Sequence, residues 1–303
     1  MSAREPHPLA GYFYAGLTIL IWASFVVISR LGGKSALTPF DITALRLTVS
    51  GLILGVWLLA RRRPVALKLH QIALFVACVG FAYPLLTYSG FTLAPASHGA
   101  LLLSGTLPFT TALLGLLILG ERLTRARVIG LLLIAAGVGL IGGESLTAER
   151  GEKDWLGDTL FLCASLSWAV FTVYLRKWQV RALDVTLIVG VCSMIAYMPL
   201  YLLFLPKNIG QAPLADILLQ GVFQGVFVVC IAMILFIKAN EHLGPVRVAM
   251  LMSIVPALGA LLAVPVVGEP LTQAALVGIA LVTTGALLGA LRKLPPPATA
   301  ATP

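Results

Sequence analysis

Few side chains in this sequence have types and spacings that could do chemistry, and those few suit holding a small molecule better than converting one. Trp22 and Trp168 each begin a W-A-x-F phrase, WASF and WAVF, in the middle of an apolar stretch. Two such indoles could wall a pocket for a planar or apolar group, each contact worth ~1 kcal/mol beyond burial; ordinary helix packing is the alternative. Tyr83 and Tyr88, in FAYPLLTYSG, flank Pro84 and could offer hydroxyls to a zwitterion. His98 starts another apolar stretch and could bind substrate or respond to pH, or simply cap a helix. Ser253, like Ser104, lies close to a proline inside a stretch, where it could satisfy freed backbone groups or touch a substrate. Pro108 and Pro256 occupy matching positions and mark helix bends or pivots.

Enzyme chemistry is poorly provided for. The four histidines are scattered without metal-ligand spacing, and Cys78, Cys163, Cys192 and Cys230 form no C-x-x-C pair. No G-x-x-x-x-G-K-[ST] phosphate loop is present, so no ATPase is built into the chain. No cofactor or metal is expected.

The elements that must position these residues are membrane helices. At 59% hydrophobic and 11% charged residues, with a mean hydropathy of +0.99, the chain lies outside the range of soluble globular domains. Ten apolar stretches are expected near 10–31, 40–60, 70–92, 97–119, 127–142, 156–176, 184–205, 216–239, 246–268 and 273–292. A helix needs ~20 residues to cross the hydrocarbon core, and only the fifth stretch is short for that. Strand-like alternation is missing, so a closed barrel does not apply, and the first stretch reads as a retained helix with no signal-peptide cleavage site.

Charge sets the expected orientation, because Lys and Arg concentrate in cytoplasmic loops. With the N-terminus inside, the cytoplasmic segments carry Arg4, Arg61 to Arg63 and Lys68, Arg122, Arg125 and Arg127, Arg176, Lys177 and Arg181, Lys238 and Arg247, and Arg292 and Lys293. The other face holds only Arg30, Lys34, Arg150, Lys153 and Lys207. Both termini are therefore expected in the cytoplasm, and the net charge of +9 needs no nucleic-acid partner.

The chain repeats itself. GERLTRAR at 120–127 returns as GEPLTQAA at 268–275, without the arginines. At this offset of 148 Pro108 falls on Pro256, Gly130 on Gly278 and Gly137 on Gly285; at an offset of 146 Trp22 falls on Trp168 and Arg30 on Arg176. The expected organisation is a first repeat at 1–143, a charged external linker at 144–155, a second repeat at 156–294 and a Pro/Ala-rich cytoplasmic tail at 295–303. Five helices per repeat is an odd number, so the second repeat should cross in the opposite sense, which accounts for the lost arginines. The expected fold is an all-α integral membrane protein of ten transmembrane helices, two inverted five-helix repeats around a central cavity. That architecture favours a secondary transporter over a channel, a receptor or an intramembrane enzyme.

WAS in the first stretch, ALRLTVSG in the second, and the run LAPASHGALLLSGTLPFTTALLGLLILGERLTRARVIGLLLIAAGVGLI resemble the EamA repeat of the drug/metabolite transporter superfamily. SLSWAVFTVYLRK and HLGPVRVAMLMSIVPALGALLAVPVVGEPLT are similar to its second copy. The resemblance implies a bundle whose cavity is lined mainly by helices 1, 3, 4, 6, 8 and 9, with 5 and 10 peripheral. It implies transport of amino acids, nucleotide sugars, sugar phosphates or other metabolites. Length and short loops are similar to the YddG-type exporters of aromatic amino acids.

Arg46 lies within the second stretch, little more than one turn from the outer boundary and near Asp41; it is expected to snorkel rather than to translocate ions, and the family resemblance implies a structural role. Glu121 and Glu269 are expected to bond to loop backbone. With no Lys or Arg at midplane, the substrate is expected to be a neutral, amino-acid-like metabolite exported across the bacterial inner membrane. Uniport and proton coupling through His98 or a helix-end carboxylate are both compatible with the residues. The lipid bilayer and a small-molecule substrate are the expected partners, and a monomer suffices.

Overall fold

The computed structural model describes residues 8–61, 65–121, 124–147 and 153–290, all helix, turn and loop. Arg4, Arg62, Arg63, Arg122, Arg150, Arg292, Lys293, residues 148–152 of the charged linker and the Pro/Ala-rich tail lie outside the described residues. The helices are α1 (Pro8–Lys34), α2 (Pro39–Ala60), α3 (Leu69–Leu93), α4 (Ala96–Leu119), α5 (Arg125–Thr147), α6 (Asp154–Lys177), α7 (Ala182–Phe204), α8 (Leu214–Leu243), α9 and α10 (Gln273–Ala290). The ninth is Pro245–Met252 continued, after a short break, as Val255–Val267. Among the described residues eight helices are long and apolar enough to cross a membrane, with α10 shorter but apolar. The chain is a multi-pass membrane protein.

Local chemistry fixes the ends. Thr38 and Asp41 cap α2 reciprocally: the Asp41 amide donates to Thr38 Oγ1 at 3.1 Å and the Thr38 amide to Asp41 Oδ2 at 2.8 Å, with Pro39 in the first turn. The repeated G-E-x-L-T phrase is a corner with divided roles. Gly120 (φ 66°) and Gly268 (φ 73°) close α4 and α9 in the left-handed region that favours glycine. Thr124 and Thr272 then accept the amides of Arg127 and Ala275, capping α5 and α10.

Packing follows the repeat. The pairs α1–α8 and α1–α9 have counterparts in α6–α3 and α6–α4, while α2 packs on α7, α4 on α9 and α5 on α10. Where α5 meets α10, the Cβ that Gly130 lacks would lie 2.5 Å from the Gly285 carbonyl oxygen, and one on Gly137 would lie 2.9 Å from that of Gly278. These contacts run antiparallel, and exchanging the repeats turns one into the other; only residues without side chains let the backbones approach so closely. Helices α2 and α7 are also antiparallel, with Asp41 near Tyr201 at one end and Arg61 paired with Asp184 at the other.

Three helices leave α geometry near mid-length. Val76–Ala82 in α3, Ala100–Gly105 in α4 and Gly221–Ile231 in α8 are wound as π-helix, a feature common at functional sites. In α4 it also absorbs a length difference, since Pro95 to Pro108 spans thirteen residues and Pro245 to Pro256 eleven. The prolines therefore sit in the first turn of a second helical piece, Pro108 exposed and Pro256 buried.

Candidate functional site

Within the bundle the polar side chain that most needs explanation is Arg46. It stands about 10 Å along α2 from Pro39 at 1.5 Å per residue, and it is 7% exposed. Its guanidinium does not pair with the nearby Asp41. Asp41 is already engaged by the Tyr201 hydroxyl, by Thr38 and by the Asn208 amide. Arg46 instead turns toward α3: Nη1 donates to the Tyr88 hydroxyl at 3.3 Å, and Cζ lies 6.0 Å from the Tyr83 ring centroid. Such contacts offset only part of the cost of a cation in the span, which is ~3 kcal/mol on insertion scales and larger without water.

Tyr83 links this cation to an indole, its ring 4.7 Å from that of Trp168, which also meets Phe171 at 5.6 Å. Arg46, Tyr83, Tyr88 and Trp168 thus form one cluster joining α2, α3 and α6. Both Tyr83 and Trp168 are half-buried, whereas Tyr88 is fully enclosed. Trp22 stands apart, packed against Phe236 of α8 at 5.2 Å. The two tryptophans occupy equivalent places on α1 and α6 but face different aromatic partners.

The remaining residues singled out in the sequence lie elsewhere. His98, in the first turn of α4, is buried with its Nδ1 2.9 Å from Asp158 of α6, so it is neither a surface nor a simple capping histidine. Ser253 sits at the break in α9 and donates to the Met250 carbonyl at 2.6 Å, satisfying backbone that the break frees. Asp158 was not singled out in the sequence, where one acidic residue near a stretch end carries no signal. Nor was Gln224, fully buried on α8, whose Nε2 lies 3.1 Å from Ser29 Oγ.

The second feature is a matched set of ion pairs. Arg30 at the end of α1 donates through Nε to Glu269 at 2.7 Å, and Arg176 at the end of α6 donates to Glu121 at 2.7 Å. Both partners are equivalent across the repeats, so the arginine–glutamate pair is itself repeated. The surroundings differ. Glu269 also pairs with Lys34 at 2.8 Å and accepts the Ala96 amide, the first of α4, at 2.8 Å, while Arg30 Nη1 reaches the Phe91 carbonyl at the end of α3. Burial alone would raise the Glu269 carboxyl, but the Ala96 amide, Lys34 and Arg30 together outweigh it and hold it below its ordinary value. Glu121 is joined by Arg176 and, at 3.6 Å, by Arg127 of α5.

The helix starts show the same asymmetry. The first turn of α4 packs on α1, α3, α6 and α9, and every residue from Ala96 to Leu103 is buried. The matching first turn of α9 packs chiefly on α1, α8 and α10, and Arg247 and Ala249 are exposed. Among the described residues the bundle is packed more tightly at its Glu269 end than at its Glu121 end. A surface cleft lined by Leu67, Trp178, Gln179, Arg181 and Asp184 lies at the Glu121 end, since Trp178 closes α6 two residues after Arg176, the partner of Glu121.

Comparison with known proteins agrees with this doubled architecture. An uncharacterized transporter of Clostridium kluyveri is 22% identical over 92% of each chain. The uncharacterized transporter YdeK of Bacillus subtilis is 27% identical over 86% of this chain and 89% of its own. A protein of known structure matches with a TM-score of 0.62 at 20% identity, over 92% of this chain and 95% of that one, a likeness of fold. The narrower resemblance to aromatic amino acid exporters finds no support in these relatives. The model of the EamA-like transporter family matches twice, over residues 9–143 and 155–290, and the chain belongs to that family.

Proposed function

We propose that the protein is a secondary transporter that moves a small, amino-acid-like metabolite outward across a bacterial inner membrane by alternating access. Its two repeats are read as inverted, with α5 and α10 crossing together with the rest and both termini in the cytoplasm. The antiparallel, exchange-related contacts of α5 with α10 and of α2 with α7 support inversion. The positive-inside bias puts the Glu269 end outside and the Glu121 end in the cytoplasm.

The observation that carries this reading is the inequality of two equivalent ends. Glu269 holds the start of α4, where Ala96 to Leu103 are all buried, whereas among the described residues Glu121 bonds to Arg176 and Arg127, and Arg247 and Ala249 near the start of α9 are exposed. Two like halves in unlike states are what a carrier caught open to one side requires, and exchanging those states would open the other side. The substrate site is assigned to Trp168, Tyr83 and Tyr88, with Trp22 on the α1–α8 wall and the breaks near Pro108 and Pro256 as pivots. His98 and Ser253 are assigned supporting places on α4 and α9. The aromatic content favours a substrate with an apolar or planar side chain, and the scattered catalytic groups favour transport over an enzymatic role.

Purified protein in proteoliposomes, assayed by counterflow with radiolabelled neutral amino acids, nucleotide sugars, sugar phosphates and drugs, tests this. Counterflow of neutral amino acids is expected. Movement of nucleotide sugars alone would contradict the substrate, and movement of nothing would contradict transport.

A further inference from the structure

Arg46 is a buried guanidinium in the interior of a membrane span, and among the described residues no carboxylate lies within ion-pair distance of it. Its one hydrogen bond is the 3.3 Å contact with the neutral Tyr88 hydroxyl. The other helix-borne arginines of this region have fuller provision: Arg30 and Arg176 have glutamates, and Arg61 has Asp184. Asp41, the carboxylate one turn away on α2, is turned aside by Tyr201, Thr38 and Asn208. A guanidinium offers five donors in a fixed fork that matches a carboxylate, so most of its donors here are unused.

The helices packed on α2 also hold spare capacity. Thr87 Oγ1, beside Tyr88 on α3, and Gln224 Oε1 on α8 are buried without hydrogen-bond partners. Helix α8 packs directly on the Arg46 stretch of α2, with Gly221 against Leu45 and Gly225 against Val49. Arg46 is moreover unpaired by the repeat. The phrases DIT at 41–43 and DVT at 184–186 align α2 with α7 and place Val189 opposite Arg46. A cation present in one repeat and absent from the other serves something that is itself single.

We propose that Arg46 is the carboxylate receptor of the transport site, with the Tyr83 and Trp168 rings taking the substrate's apolar part. The substrate therefore carries a carboxylate, which a zwitterionic amino acid does while remaining neutral overall. This rests on the amino-acid-like reading above and deepens it. A phosphate monoester is the other oxyanion that a guanidinium binds, but its second charge calls for a second cation, and Arg30, Arg61, Arg176 and Lys238 all lie at or near helix ends.

The test is counterflow of radiolabelled L-phenylalanine and L-leucine in proteoliposomes of the full chain. The competitors are 3-phenylpropionate, which keeps only the carboxylate, phenethylamine, which keeps only the ammonium, and phenyl phosphate. In the wild type 3-phenylpropionate should compete at least about tenfold better than phenethylamine or phenyl phosphate, as charge-assisted bonds imply. Arg46→Gln should abolish that advantage and Arg46→Lys should keep part of it. Equal competition by phenethylamine, stronger competition by phenyl phosphate, or an unchanged ranking in Arg46→Gln would overturn the inference while leaving amino acid transport standing. Counterflow of nucleotide sugars with no amino acid moving would overturn both readings together. If Arg46→Gln fails to fold, the wild-type ranking and Arg46→Lys decide.

Discussion

Trp168, Tyr83 and Glu269 show how far single residues can be read. The W-A-x-F phrases point to both tryptophans, yet no local pattern says that Trp168 meets Tyr83 while Trp22 meets Phe236, because those partners come from α3 and α8. Arg46 was harder still. A cation near a stretch end with an aspartate one turn away looks self-sufficient, and only the capture of Asp41 by Tyr201 of α7 and by Asn208 from the loop that follows changes that. If Trp168 walls the substrate, Trp168→Ala should raise KM about fivefold, the value of one aromatic contact, with little change in kcat; an unchanged KM in counterflow kinetics would remove it from the site. Glu269 predicts a pH effect of definite sign. Its carboxyl is lowered from 4.5 in the folded protein, so its stabilisation is complete above the ordinary value and is lost as pH falls through the lowered one. Melting curves in detergent between pH 6 and pH 3 should therefore show a larger loss for wild type than for Glu269→Gln.

At the scale of elements, the ten stretches expected from hydropathy each contain a helix whose ends fall within a few residues of the expectation, and the fifth extends to Thr147. The π-wound stretches were not legible, since π and α windings use the same residues and differ only in how neighbours press on them. The G-E-x-L-T corner was legible as a repeat but not as a mechanism. Its glutamates were expected to meet loop backbone; Glu269 accepts the amide of Ala96 at the start of α4, and the two glutamates find Arg30 and Arg176, which the alignment pairs without revealing contact. The α5–α10 crossing yields a clean prediction. Gly130→Val would press a side chain onto the Gly285 carbonyl and should lower the melting temperature by several degrees. Gly139→Val on the same helix, where a Cβ meets nothing within 4 Å, should leave it nearly unchanged. Equal effects at the two positions would mean that α5 and α10 do not approach through these glycines.

For the molecule as a whole, the two repeats share sequence, corners and ion pairs, yet the starts of α4 and α9 are buried to different extents. On the reading proposed above, that difference ties a static fold to a transport cycle, provided that the halves cross the membrane in opposite senses. Inversion is testable directly at the two corners. Arg125 and Gln273 are exposed and follow the capping Thr124 and Thr272, so cysteine at either position leaves the caps intact. In a Cys163→Ala background, a membrane-impermeant maleimide applied to intact cells and to inverted vesicles reports the side of each. The account predicts that Gln273→Cys reacts only from outside and Arg125→Cys only from the cytoplasmic face; reaction of both from the same side would contradict it.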